Sequence, residues 1–331
     1  MRIDSAALLV KDPSLPEVPE SSAPGQHPHT DRDELHDIYR AWRAVADSYP
    51  GARILVGELW LPDIDRFAKY LRPDELHTAF NFDFLARPWQ AEELRASIDS
   101  TLRAHAPVGA PSTWVLSNHD VTRPVTRYGR AVSSFAFADK RFGVPTDLAL
   151  GRRRARAAAL LTAALPGALY VYQGDELGLP EVDVPVELIE DPMHFRSGGV
   201  DPGRDGCRVP LPWTPEGSSF GFGPAGALPW LPQPEDWAEL SVAAQDADPD
   251  STLNLYRAAL ALRAERLGSA DFAWLDAPAD VLAFRRGGLV CVVNLGAEAA
   301  PLPDGTLLLA SSPLEGGRLA PDSTAWLSTA P

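Results

Sequence analysis

Three acidic side chains stand where the sequence could assemble carboxylate chemistry: Asp4, Glu58 and Asp120. Two carboxyl groups about 5–5.5 Å apart can hydrolyse a glycosidic bond with retention, one as nucleophile and the other as acid. A third carboxylate can stabilise the positive charge of the transition state. A single acid at a strand end is more often a helix cap or a solvated residue. The ordered triple, with each acid at a predicted strand end, favours catalysis.

The neighbours of the three acids indicate different roles. Arg2 precedes Asp4 by two positions, so in an extended strand both side chains lie on one face and the guanidinium favours the ionised nucleophile. Glu58 is preceded by Val56-Gly57 and followed by Leu59. Apolar surroundings predict a raised pKa for Glu58, as suits a general acid. Asp120 with His119 beside it fits the third role.

The elements that must position these acids alternate between strands and helices. The predicted strands lie around Asp4 and at 53–58, 77–82, 112–117 and 168–172, and the predicted helices at 33–49, about 90–104, 151–165 and 251–265. Such alternation is typical of α/β folds built from parallel βα units. In a (β/α)8 TIM barrel the carboxyl ends of the strands carry the chemistry. The sequence therefore predicts five of the eight strands of such a barrel, ahead of a smaller domain.

The C-terminal region has a different pattern, with short β-rich segments in place of alternating strands and helices. Short β-rich segments occur at 272–275, 281–285, 289–295, 306–310 and 324–327, and Gly287-Gly288 is a hairpin signal. We therefore predict a partial catalytic barrel at 1–269 and a small antiparallel, β-sandwich-like domain at 270–331.

Composition argues against several classes of partner. The 331 residues carry a formal net charge of −15, which argues against binding to nucleic acid or to an anionic membrane. No apolar run reaches membrane-spanning length and no signal-peptide pattern is visible. The cysteines, Cys207 and Cys291, show neither a disulfide framework nor zinc spacing, so we expect a reducing, cytoplasmic location. The sequence indicates no metal site and no cofactor.

Four arginines open the predicted helix at 151–165: Arg152, Arg153, Arg154 and Arg156. We predict that they form a solvated face rather than a phosphate site.

The sequence resembles the α-amylase superfamily of glycoside hydrolases (family 13), most closely the bacterial α-glucosidase and oligo-α-glucosidase branch. The resemblance covers nearly the whole chain. It is carried by the segments at 2–4, 10–13, 56–60, 80–82, 117–120 with Arg123, 127–129, 172–176 and 203–213.

This resemblance implies residue roles. Asp4 would be the nucleophile after strand four, Glu58 the acid/base after strand five, and Asp120 the stabiliser after strand seven. The substrate-binding residues implied are Arg2, His119, Arg208, which would help close the pocket around a terminal glucose, and Arg123.

Ser5 directly follows the implied nucleophile. In this branch a Val at that position goes with α-1,6 preference, so Ser5 favours α-1,4-linked substrates such as maltose. The resemblance thus implies an exo-acting, retaining α-glucosidase whose partner is a short oligosaccharide.

The family places strands one to three and a sugar-binding motif before Asp4. We therefore expect that this chain begins inside the barrel and, expressed alone, folds poorly and is inactive. Two other functions stay open: a transglycosylase such as a trehalose synthase-like enzyme, which would share all three acids, and a non-catalytic amylase-fold relative.

Overall fold

The computed structural model describes residues 1–268 and 270–329. The chain divides into two compact units. The first comprises Met1–Phe84, Arg95–Trp114 and Gly167–Leu169, and the second comprises Leu85–Leu94, Val115–Pro166 and the chain from Tyr170 onward. The predicted domain boundary at 269/270 falls on Ser269, which lies outside the described residues, as do positions 330 and 331.

The strands and helices follow the predicted order. The strands before the C-terminal region are β1 (Arg2–Ile3), β2 (Val56–Gly57), β3 (Thr78–Ala79), β4 (Thr113–Val115) and β5 (Ala168–Tyr170). The helices are α1 (Leu35–Asp47), α2 (Ile64–Lys69), α3 (Phe82–Ala86), α4 (Ala91–His105), α5 (Pro124–Tyr128), α6 (Leu148–Ala164), α7 (Pro192–Arg196), α8 (Val242–Asp246) and α9 (Thr252–Arg266).

Strands β1, β2 and β3 form a parallel sheet in that order within the first unit. Of the strand predicted at 53–58, Val56–Gly57 form the regular strand, in register with two residues of β1 and two of β3. The strand predicted at 77–82 ends early. The Asn81 side chain accepts a hydrogen bond from the Phe84 N–H at 3.0 Å and so starts α3.

The core of the first unit packs behind this sheet. It consists of buried apolar side chains that include Ile3 and Leu59, beside the candidate acids, and Leu35 and Tyr39 of α1. This core fixes the ends of β1 and β2.

The C-terminal strands form one antiparallel sheet within the second unit. They are β6 (Phe272–Trp274), β7 (Val281–Arg286), β8 (Leu289–Asn294), β9 (Thr306–Ala310) and β10 (Ser323–Ser328), in the order β6-β7-β8-β10-β9. The predicted hairpin is confirmed, since Arg286 pairs with Leu289 and Gly287 has a φ of +57°.

Helix α6 packs against this sheet. Thr324 donates from its hydroxyl to the Ala157 carbonyl at 2.9 Å, and the Trp326 indole donates to the Leu160 carbonyl at 3.2 Å. The predicted solvated arginine face on α6 is wrong for two members. Arg154 pairs with Asp322 at 2.8 Å, and Arg156 donates to the Ser311 carbonyl at 3.0 Å. Ser311 directly follows β9 and Asp322 directly precedes β10, so both acceptors come from segments that local sequence cannot reveal.

Within the described residues, no helix combines the length and the apolar character needed to cross a membrane.

Candidate active site

The parallel pairing of β1 and β2 sets Asp4 and Glu58 side by side. Ile3 is in register with Gly57, so each acid is the first residue after its strand. The Glu58 N–H donates to the Ile3 carbonyl at 2.9 Å, and the Ala6 N–H donates to the Glu58 carbonyl at 3.0 Å. These backbone bonds carry the pairing past the strand ends and fix both acids at one edge of the sheet.

Arg2 links the two acids. Its Nη1 lies 3.0 Å from Oδ1 of Asp4, and its Nη2 donates to Oε2 of Glu58. The Asp4 side chain is 73% exposed, whereas the Glu58 side chain is 11% exposed. One cation therefore contacts an open carboxylate and a largely enclosed one.

The enclosed environment of Glu58 favours the protonated form, which a proton donor needs. Burial raises the pKa of Glu58 above its ordinary value, Arg2 opposes this rise, and the neighbouring Asp4 carboxylate adds to it. The sequence-based expectation of a raised pKa for Glu58 is confirmed in direction. Its main cause is the predicted one, removal from water.

Asp120 lies in the second unit, in a turn stabilised by its own neighbours. Its N–H donates to the Asn118 side chain at 2.8 Å, and its Oδ2 lies 3.3 Å from Nε2 of His119. Arg208 donates from Nη2 to Oδ1 of Asp120 at 2.9 Å and from Nε to the His119 carbonyl at 2.7 Å. His119, Asp120 and Arg208 thus form one contact group.

Arg123, which the resemblance implied to be a substrate-binding residue, lies inside the second unit. Its side chain is fully buried, and it donates to the carbonyls of Gln173 at 3.0 Å and Cys207 at 2.8 Å. A guanidinium enclosed in this way holds two loop segments together. The geometry favours this structural role over the predicted contact with substrate.

The family model for the α-amylase catalytic domain matches residues 1–269. The chain belongs to the α-amylase family. A second model, a domain of unknown function (DUF3459), matches residues 267–326.

Curated relatives of this family member include glucosidases. A probable alpha-glucosidase of Rhizobium meliloti (strain 1021) is 30% identical over 315 residues, covering 88% of this chain and 53% of that protein. An oligo-1,6-glucosidase of Heyndrickxia coagulans is 25% identical and covers 71% of this chain and 45% of its own length. The chain spans about half the length of the curated relatives it matches.

Solved structures with the same fold include an alpha-glucosyl transfer enzyme and a trehalulose synthase. The alpha-glucosyl transfer enzyme XgtA superposes with a TM-score of 0.78 at 28% identity, covering 98% of this chain and 63% of XgtA. The trehalulose synthase MutB superposes with a TM-score of 0.77 at 25% identity, covering 99% and 65%. The fold is therefore of the TIM-barrel type found in this family, followed by an antiparallel sheet.

Two members of the Asp120 group were not identified from the sequence. Arg204 donates from Nη1 to Oδ1 of Asp120 at 3.0 Å, and Asp191 binds the other side of the same guanidinium. Arg204 stands in the same motif as Arg208, so the motif itself was the available signal. Asp191 lies in a long Pro- and Gly-rich segment whose contacts the sequence does not specify.

A buried carboxyl supports the turn that carries Asp120. Ser117 donates from its hydroxyl to both carboxyl oxygens of Asp175, at 2.9 and 2.7 Å. Burial raises the pKa of Asp175 to about 7, against the opposing effects of Arg123 and of the Ser117 hydrogen bond. Asp175 therefore titrates in the neutral range.

Proposed function

We propose that this chain supplies the catalytic carboxylates of a retaining α-glucosidase that removes terminal α-linked glucose from short oligosaccharides. The observation that carries the proposal is the pair of carboxyl groups bridged by Arg2. Asp4 is open to attack a substrate, and Glu58 is enclosed with a raised pKa. This division of environments is what a nucleophile and an acid require.

In the proposed reaction an Asp4 oxygen attacks the anomeric carbon while Glu58 gives its proton to the leaving glycosidic oxygen. The product is a glycosyl ester on Asp4 and a free alcohol. Glu58, now ionised, takes a proton from water as the water oxygen attacks the anomeric carbon, and the ester bond to Asp4 breaks. The resemblance to the family supports three further proposed roles: Asp120 stabilises the positive charge of the transition states, Arg2 binds the nucleophile, and His119 binds the sugar.

The proposed substrate is α-1,4-linked, such as maltose. The resemblance to the family supports this, since Ser5 stands where a Val goes with α-1,6 preference. The Ser5 hydroxyl lies 3.3 Å from Oδ2 of Asp4, beside the proposed nucleophile. Arg208 supports exo-action through its proposed place in the pocket wall. The proposed catalytic domain is 1–269 and the proposed accessory domain is 270–331; the two family models, which meet at 267–269, support this division.

Glucosyl transfer is the second candidate function. It needs the same ester on Asp4, with a sugar hydroxyl in place of water in the second step. Its support comes from the structural neighbours, which are an α-glucosyl transfer enzyme and a trehalulose synthase.

The experiment uses the natural gene product that contains these 331 residues. Release of p-nitrophenol from its α-glucoside measures turnover, and chromatography of products from maltose and sucrose separates glucose from transfer products. We expect glucose from maltose and its loss in Glu58→Gln. Glu34→Gln is the matched control, since Glu34 also pairs with an arginine, at 2.7 Å.

Three results would lead to other conclusions. Transfer products in place of glucose would favour the second function. No turnover by the natural protein would favour a non-catalytic relative. Unchanged turnover in Glu58→Gln would remove Glu58 from the mechanism.

A further inference from the structure

Arg204 divides its hydrogen-bond donors between two carboxylates. Nε and Nη2 donate to Oδ2 and Oδ1 of Asp191 at 2.7 and 2.8 Å, while Nη1 donates to Oδ1 of Asp120 at 3.0 Å. The contact with Asp191 is bidentate, the geometry in which a guanidinium and a carboxylate hold each other most firmly. Asp120 therefore accepts one hydrogen bond from Arg204, from Nη1.

Asp191 is itself held in place. Its side chain is fully buried, and it accepts the N–H groups of Met193 at 3.1 Å and of Arg204 at 2.7 Å. Its own N–H donates to Oδ2 of Asp205 at 3.0 Å. Burial opposes ionisation, but the hydrogen bonds from Arg204 and Met193 hold the pKa of Asp191 well below its ordinary value. Asp191 is therefore a fixed anion.

The approach of Arg204 to Asp191 depends on the preceding residue. Gly203 has a φ of +78°, and a Cβ there would lie 2.9 Å from Cβ of Asp191. Lys140, which is also buried, donates from Nζ to the Gly203 carbonyl. The backbone at Gly203 is thus held between the side chain of Asp191 and that of Lys140.

The geometry points to Asp191 as a positioning residue that, through Arg204, fixes the carboxylate of Asp120 for the transition state. This inference rests on the proposed function of Asp120. By occupying Nε and Nη2, Asp191 prevents Arg204 from forming a two-bond fork with Asp120. Without Asp191, the freed guanidinium takes both oxygens of Asp120 and removes its carboxylate from the sugar.

The test is Asp191→Asn in the natural gene product. An amide keeps the shape of the side chain but loses the charge that holds Arg204. We expect kcat to fall about 10- to 100-fold, the range for a displaced catalytic group. The inhibition constant of 1-deoxynojirimycin, a cationic glucose analogue, should rise by a similar factor. Inhibition by glucose, which is neutral, should change less than about twofold.

A second variant tests the route through Arg204. Arg204→Lys places a point charge where a planar fork is needed, so it should lose about as much activity as Asp191→Asn. The double variant should lose little more than either single variant, because both changes break one unit. Asp322→Asn is the matched control: Asp322 also pairs with an arginine, Arg154, at 2.8 Å, and its loss should lower stability without changing the inhibitor ratio.

A crystal structure of Asp191→Asn tests the positioning without turnover, so it stays decisive if the natural protein proves inactive and the proposed function fails. We expect Arg204 to form two hydrogen bonds to the carboxylate of Asp120; departure of Arg204 from Asp120 would overturn the inference. Retention of the single Nη1 contact would overturn the inference. Additive losses in the double variant would overturn it too, as would equal weakening of glucose and 1-deoxynojirimycin.

Discussion

The guanidinium of Arg2 donates to the carboxylate of Glu58 across two neighbouring parallel strands. The contact opposes the effect of burial on the pKa of Glu58, so the acid is held between two influences of opposite sign. A general acid works best when its pKa lies near the working pH. Substitution of Arg2 can therefore measure how much this contact lowers the pKa of Glu58.

Loss of Arg2 should move the alkaline limb of the pH profile. Arg2 lowers the pKa of Glu58, so in Arg2→Gln that pKa rises. In the proposed mechanism the active acid is protonated Glu58, so activity falls as the pH rises through its pKa. The alkaline limb of kcat/KM should therefore move to higher pH, while the maximum falls about 100-fold or more with the lost contact to the reacting groups.

Arg2→Lys is the control for that profile, because it keeps the positive charge. Its alkaline limb should stay nearer to that of the wild type. A limb that moves to lower pH in Arg2→Gln would contradict the assignment of Glu58 as the acid.

Ser5→Val should change the linkage preference. Ser5 adjoins the proposed nucleophile, Asp4, so a branched side chain there would change the shape of the proposed substrate site. We expect the ratio of kcat/KM for isomaltose over maltose to rise. Ser5 has a φ of +47°, a strained conformation for a β-branched residue, so the variant should also melt at a lower temperature.

Ser5→Ala separates the effect of losing the Ser5 hydroxyl from the effect of adding side-chain bulk. It removes the 3.3 Å contact with Asp4 without adding bulk, so the linkage ratio should change little. An unchanged ratio in Ser5→Val would remove Ser5 from the determinants of specificity.

Asp175 should make stability depend on pH. Its pKa of about 7 in the folded protein lies above the unfolded value of 3.8. The contribution of the protonated form is complete below the unfolded pKa and is lost as the pH rises through about 7. The melting temperature should therefore fall between pH 5 and pH 8, and Asp175→Asn, which cannot ionise, should flatten that dependence.

Asp246→Asn is the control for Asp175. Asp246 is 60% exposed in its pair with Arg257, and its loss should leave the slope unchanged. An equal slope in wild type and Asp175→Asn would show that Asp175 does not titrate in this range.

Gly151→Ala should destabilise the contact between α5 and α6. A Cβ at Gly151 would lie 1.9 Å from the Val125 carbonyl oxygen, so the helices must separate. Overpacking of this kind typically costs about 1–3 kcal/mol, which urea unfolding can measure. At Gly288 an added Cβ would have its nearest neighbour at 3.9 Å, so Gly288→Ala should cost far less. Equal stability of Gly151→Ala and wild type would contradict the close helix contact.

Much of the first unit could be predicted because its determinants are local. An apolar run that ends in Glu58 predicted one strand, and the residues around Asp4 were counted as the end of another; parallel strands bring their carboxyl ends to one edge. The adjacency of these two acids, and the contact between Arg2 and Asp4, follow from that rule. The lengths of the strands did not follow, because pairing is set by the neighbouring strands and by the Asn81 cap.

The sequence by itself determined the family, the three candidate acids and the alternation of strands and helices. Tertiary structure alone decided which charged groups meet. Arg204 is 84 positions from Asp120, and the acceptors of Arg154 and Arg156 lie beside strand ends more than 150 positions later. The enclosure of Arg123 has the same origin. The physical reason is that strand and helix signals are read over a few residues, whereas a buried charge finds its partner through loops whose paths only the packed chain fixes.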